Sequence, residues 1–225
     1  MLLSAGGILV PPSISATART SATVGPAGAT VLTSPGITTV AGHPLFAWTT
    51  MGTSALSVAT PWTDSKGNAF VEVGTQIKAT DVAIRCFACN NPTSVGAAHT
   101  FGFNYQATEF AHMQFFQVLN APGGVDINAQ GIDPSDPRTL STAGPTNNGN
   151  QLVLALIATA EIGTVPYNDP AGYTGLMKET SGTQFWSGAS AFKVISAAGI
   201  QSVSWNSGSS GTARGVLKLI TFMGN

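Results

Sequence analysis

The sequence predicts an all-β chain, a jelly-roll-like β-sandwich of about eight to ten short strands. Three observations predict it. Apolar and polar residues alternate at period two, most cleanly where Phe101, Phe103 and Tyr105 share one side and Gly102, Asn104 and Gln106 the other. That period is the mark of a strand with one face buried. Short apolar runs are separated by clusters of Gly, Pro, Asn, Asp and Ser, which suit turn dihedrals. No stretch longer than about ten residues carries the 3.6-residue period of an amphipathic helix. No repeat of fixed period stands out, which argues against a propeller or a β-helix.

Two segments differ in composition. Residues 1–42 are rich in Ala, Gly, Ser, Thr and Pro and contain one charge, Arg19. Pro11, Pro12, Pro26 and Pro35 interrupt any long helix or central strand. This segment is expected to be an extended arm laid on a neighbouring subunit, with residues 43–225 forming the sandwich. Within the sandwich the first expected strand is Leu45–Met51, with Phe46 and Trp48 on one face. Residues 56–62 follow, then a turn at residues 63–68 opened by Asp64 and closed by Gly67 and Asn68. Residues 70–73 are expected to return as the hairpin partner. Residues 81–89, 100–106 and 110–119 are the next strands, the last apolar on both faces.

Residues 125–150 are polar and hold Asp126, Asp133 and Asp136. They read as a long connection with one short strand across an exposed edge. Residues 151–160 (QLVLALIATA) are apolar on both faces and flanked by Asn-Gly, as in a central strand. After a loop at 161–172, residues 173–179, 183–188 and 191–196 complete the run. Residues 200–222 read as a closing strand pair around a loop at 206–211. Its last strand is apolar on both faces, hence central.

Composition excludes several functions. Charged residues make up 8% of the 225 residues, against about 25% in ordinary domains. The nine Lys and Arg are scattered singly and the net charge is −1, so a nucleic-acid partner is not expected. So few charges protect a free monomer poorly against association, which points to a homo-oligomer. No apolar run reaches the 18 residues of a transmembrane helix, and no membrane partner is expected. Residues 1–10 lack the basic start of a signal peptide, so the expected site of synthesis is a cytoplasm.

The search for chemistry returns no catalytic, cofactor or metal-binding residue. Cys86 and Cys89 have the spacing of half a zinc site or a redox pair. However, His43, His99 and His112 show no paired spacing, and positions i and i+3 of a strand face opposite ways. Two small buried thiols are expected instead. Glu72 and Glu109 read as surface carboxylates rather than a glycosidase pair. The run 126–131 (DINAQG) has a faint likeness to a calcium loop, but Pro137 stands where an EF-hand needs its bidentate Glu. Gly208-Ser209-Ser210-Gly211 lies in a loop without the strand-turn-helix context of a nucleophile elbow. His112 reads as a core or interface histidine. Trp48, Trp62, Trp186 and Trp205 read as core residues before sugar-stacking ones.

Four stretches carry a resemblance: the turn Trp62-Thr63-Asp64-Ser65-Lys66-Gly67-Asn68-Ala69-Phe70, the aromatic strand 101–105, the run 139–160 and the closing run 205–222. Together they make residues 41–222 similar to a family of bacteriophage and prophage structural proteins with a β-sandwich domain. The resemblance implies a virion component made in the host cytoplasm, without enzymatic activity or cofactor. Its implied partners are further copies of itself, a trimer being one candidate, and other virion proteins such as the major capsid protein. A capsid decoration or cement protein fits best, since a main shell protein of jelly-roll type often has a basic arm. The alternative is a tail or fibre adhesin that binds host-surface glycan.

Overall fold

The computed structural model describes residues 14–24, 31–52, 62–105, 111–133, 135–147, 149–160, 165–179, 187–207 and 215–224. They form strands without a helix. The first large sheet consists of β1 (Ser15–Val24), β11 (Ala111–Leu119), β4 (Leu45–Met51), β8 (Ala83–Cys89) and β6 (Val71–Glu72) in that order, with β7 (Ile77–Lys78) also on β8. The second is β12 (Gly124–Asp133), β18 (Gly215–Met223), β14 (Gln151–Thr159), β16 (Ser187–Ile195) and β15 (Thr174–Glu179). Three smaller sheets complete the architecture. They are β2 (Val31–Thr33) with β10 (Phe101–Asn104) and β5 (Trp62–Asp64), β3 (Ile37–Thr39) with β9 (Gly96–His99), and β13 (Arg138–Ser141) with β17 (Ser202–Trp205). All pairings are antiparallel.

The β-sandwich expected from the sequence is present, with both of its outer faces covered. Between the two large sheets, Phe46, Trp48, Ile84, Cys86 and Phe116 meet Leu152, Leu154, Leu156, Ile220 and Phe222. On the far face of the first sheet, Leu45, Ala47, Phe87 and Phe115 pack under Trp62, Phe101, Phe103 and Tyr105. On the far face of the second, Val153, Ala155, Leu217 and Leu219 pack under Tyr167, Val203 and Trp205. Strands β4, β8 and β14 are therefore buried at every position. Burial on both faces explains the loss of alternation at 151–159, since every position gains by being apolar. Each fully buried large aliphatic side chain contributes about 1.5–3 kcal/mol.

A lock joins the two large sheets. Trp48 Nε1 on β4 and Ser190 Oγ on β16 both donate to Gln114 Oε1 on β11, at 2.9 and 2.8 Å. Gly188 makes room for it. A Cβ there would lie 2.8 Å from the tip of the Trp48 ring and 3.1 Å from the Ile157 carbonyl.

Several expectations are corrected. Eighteen strands are described instead of eight to ten, because pieces of two to four residues such as β6 and β7 are too short to show a period. The segment 1–42, expected as an arm on a neighbour, is woven into its own sheets wherever it is described. β1 pairs along β11, β2 with β10 and β3 with β9, while Ile14 and Ala16 enter the main core. A segment poor in apolar groups is held here by backbone pairing, which an otherwise unpaired β11 edge demands.

The two expected hairpins are not hairpins. Trp62–Asp64 pairs with β10 and Val71–Glu72 with β8. β17 pairs with β13, whereas β18 lies between β12 and β14. The central placement of the last strand holds. The polar connection 125–150 contains two strands, β12 and β13, and β12 is an edge of its sheet, as expected for a half-exposed polar strand. The expected strands 183–188 and 191–196 merge into β16 as far as they are described. Residues 56–61 lie outside the described residues.

Candidate functional site

Cys86 and Cys89 are free and buried, as expected. They face opposite sides of β8, Cys86 toward the main core and Cys89 toward the aromatic one. Burial pushes the Cys86 thiol up to about 12 and raises that of Cys89. Neither thiolate is available near neutral pH, and thiolate is the reactive form. Native protein will therefore leave Cys86 unmodified by a maleimide over hours, whereas protein in guanidinium will react at both positions; mass spectrometry distinguishes these states. Rapid native labelling of Cys86 would show that β8 is not packed as described.

The carboxylates are engaged structurally. Glu72 accepts from Arg85 Nε and Nη2 at 2.9 and 2.8 Å. Asp126 accepts from the side chains of Asn147 and Gln151. Residues 126–131 form part of strand β12, whose register shifts between Val125 and Asn128, so the expected loop there does not exist. No group of three or more His, Cys, Asp or Glu able to hold a metal occurs among the described residues. Glu109, Trp186 and residues 208–211 lie outside them. Trp48, Trp62 and Trp205 are buried. His112 is buried on β11, and desolvation pushes its imidazole down to about 3.

One constellation escaped the sequence reading. Asp64 Oδ2 lies 2.9 Å from His99 Nε2, and His99 Nδ1 lies 2.8 Å from Thr39 Oγ1. A carboxylate only accepts, so Nε2 carries the hydrogen; in the neutral ring, Nδ1 then accepts from the Thr39 hydroxyl. Hydroxyl, imidazole and carboxylate in series is the order of a nucleophilic triad. Access decides against catalysis. The His99 and Asp64 side chains are fully enclosed and Thr39 is 3% exposed, so no substrate reaches the hydroxyl.

The chain instead pins three segments: β3 through Thr39, β9 through His99, and the turn after β5 through Asp64. Asp64 also accepts from the backbone N–H groups of Lys66 and Asn68 and from Asn68 Nδ2. Burial alone would raise its carboxyl. The bonds from Asn68 and His99, with the imidazole charge, outweigh this and hold it below the usual carboxylate value. Asp64 was legible as a turn former. Its partners at positions 99 and 39 are joined only by the fold.

Two basic groups are also drawn inside. Lys218 Nζ on β18 donates to the carbonyls of Val73 and Thr75 at 3.0 and 2.8 Å. Arg138 Nη1 donates to Ser207 Oγ at 2.6 Å, and the Arg138 side chain passes over Gly215, where any Cβ would collide with its Cδ and Nε.

An open cleft of about 420 Å³ lies between the β6–β8 corner of the first sheet and β12 of the second. Val71, Val73, Ala88 and Val125 line it together with Glu72, Asn90, Asn91 and Asn128.

No family model matches the chain, and no curated protein matches it. Among solved structures, the N-terminal domain of the Streptococcus gordonii adhesin Sgo0707 aligns at 10% identity over 88% of this chain and 55% of that one, with a TM-score of 0.15. The chain thus spans about half the length of that structure, and a likeness this slight carries no argument.

Proposed function

We propose that this chain is a non-enzymatic structural subunit of a bacteriophage virion, a decoration or cement protein that stabilises the shell by contacts repeated through symmetry. The observation that carries the reading is the withdrawal of charge from the surface. Three of the nine basic residues, Arg85, Arg138 and Lys218, are buried. A chain already poor in charge thus presents an exterior sparse in charge. Such a surface suits a subunit covered by its neighbours and serves a free monomer badly. Exposed Val31, Val40, Ile132 and Ile200 add apolar contacts to that exterior. An interface of about 800 Å² per side is the size such contacts need.

The alternative is a tail or fibre adhesin that exposes an aromatic or polar-loop surface to host glycan; Trp48, Trp62 and Trp205 are buried and supply no such aromatic surface.

Truncation tests the reading, and the fold dictates where to cut. Removing residues 1–42 would take one partner strand each from β11, β10 and β9 and would remove Ile14 and Ala16 from the main core. Removing residues 1–13 spares every described strand. Full-length protein added to undecorated shells should sediment with them and raise their disruption temperature. The 1–13 deletion should keep its melting temperature yet bind shells at least tenfold more weakly. Full-length protein that stays monomeric and leaves shells bare would overturn the proposal.

A further inference from the structure

The cleft beside β6 has a chemistry that the subunit role does not use. The side-chain amides of Asn90, Asn91 and Asn128 make no hydrogen bond to another described residue, although all three line one concavity. Two glycines in the left-handed region shape this arrangement. Gly124, at φ +68°, lies against the Asn90 amide, which a Cβ would meet at 2.7 Å; Gly74, also at φ +68°, lies against the Asn128 amide so closely that a Cβ would collide with it. Both positions exclude larger residues by dihedral and by space. Beneath the amides, Val73, Ala88 and Val125 form an aliphatic floor, with the exposed Val71 at the mouth. The carboxylate on the wall, Glu72, is already neutralised by Arg85. The volume, about 420 Å³, falls within the range of small-ligand sites, about 300–1,000 Å³.

We infer that this cleft binds a neutral saccharide. Each free amide offers two donors and one acceptor, which matches vicinal hydroxyl groups. The aliphatic floor suits the C–H face of a sugar ring. The neutralised wall gives no counter-charge for an anion or a cation. An extended peptide is the rival occupant, because strand addition needs a run of edge backbone and β12, at the edge of its sheet, borders the cleft; the peptide control tests it. The inference does not depend on the virion reading and holds whether the subunit sits on a head or on a tail.

Saturation-transfer NMR on the full chain tests it, with glucose, galactose, N-acetylglucosamine, lactose and chitobiose as probes and an extended Ala-Val hexapeptide as control. At least one sugar should give a signal, and the hexapeptide none. Asn128→Ala should weaken that signal at least fivefold. Val71→Arg should abolish it by blocking the mouth; Val71 is 70% exposed, so the melting temperature should not change. Silence from all five sugars, a signal from the peptide alone, or a sugar signal that survives both substitutions would each overturn the assignment.

Discussion

Trp48→Ala will cost about 4 kcal/mol of unfolding free energy, the usual range for emptying a large buried aromatic site. Trp48 is fully buried between the two large sheets, and its removal also deletes one of the two donors to Gln114 Oε1. The two contributions separate by substitution. Trp48→Phe keeps most of the packing and deletes the hydrogen bond, so about 1 kcal/mol is expected. Gly188→Ala keeps the tryptophan but drives a methyl group into it, and overpacking of this kind costs about 1–3 kcal/mol. Urea denaturation of the three variants gives the order Trp48→Ala, Gly188→Ala, Trp48→Phe. Equal small losses in all three would mean that the sheets are not locked through this site.

Asp64→Ala will destabilise the protein by about 3 kcal/mol, as expected when a buried hydrogen-bonded carboxylate is removed from its donors. The effect should be pH-dependent in a defined direction. The folded protein holds Asp64 below its ordinary value, so the unfolded chain takes up the proton first as pH falls. The stabilisation is then complete above the unfolded value, about 3.9, and is lost as pH drops through the lower folded value. The stability difference between wild type and Asp64→Asn should stay constant from pH 7 to about 5 and shrink below about 4. Hydrogen exchange should show the first loss of protection at β3, which Thr39 ties to His99. A difference that grows in acid would reverse the assigned direction and remove Asp64 as the pin.

The parts of the fold legible in the sequence are those whose signal is local. Phe101, Phe103 and Tyr105 alternate because one face of β10 is buried, and all three lie in the aromatic core. The run 151–159 proved central, between β18 and β16. Cys86 and Cys89 were readable as separate thiols because three residues along a strand reverse the face.

Pairing partners were not legible. The turn at residues 63–68 carries strong turn residues, yet its flanks join different sheets. Turn chemistry fixes where the chain bends; the partner of each flank is fixed by what each buries. Trp62 packs on Phe87 and Phe103, while Val71 lies beside Ala88 in register. The candidate sites show the same limit. Thr39, Asp64 and His99 are up to 60 residues apart, and the three asparagines of the cleft come from the bend after β8 and from β12.

The amino-acid sequence alone determined an all-β chain with a sandwich core, a central closing strand, unlinked cysteines and a surface short of charge. Each follows from composition or from a period of two, which neighbouring residues carry by themselves. The tertiary structure decided that residues 14–24 and 31–39 belong to the sheets of their own chain, that both outer faces are covered, and that Lys218 and Arg138 lie inside. These depend on contacts between distant segments. There, backbone groups and charges leave water only if a partner is already in place, and a partner's position is a property of the fold.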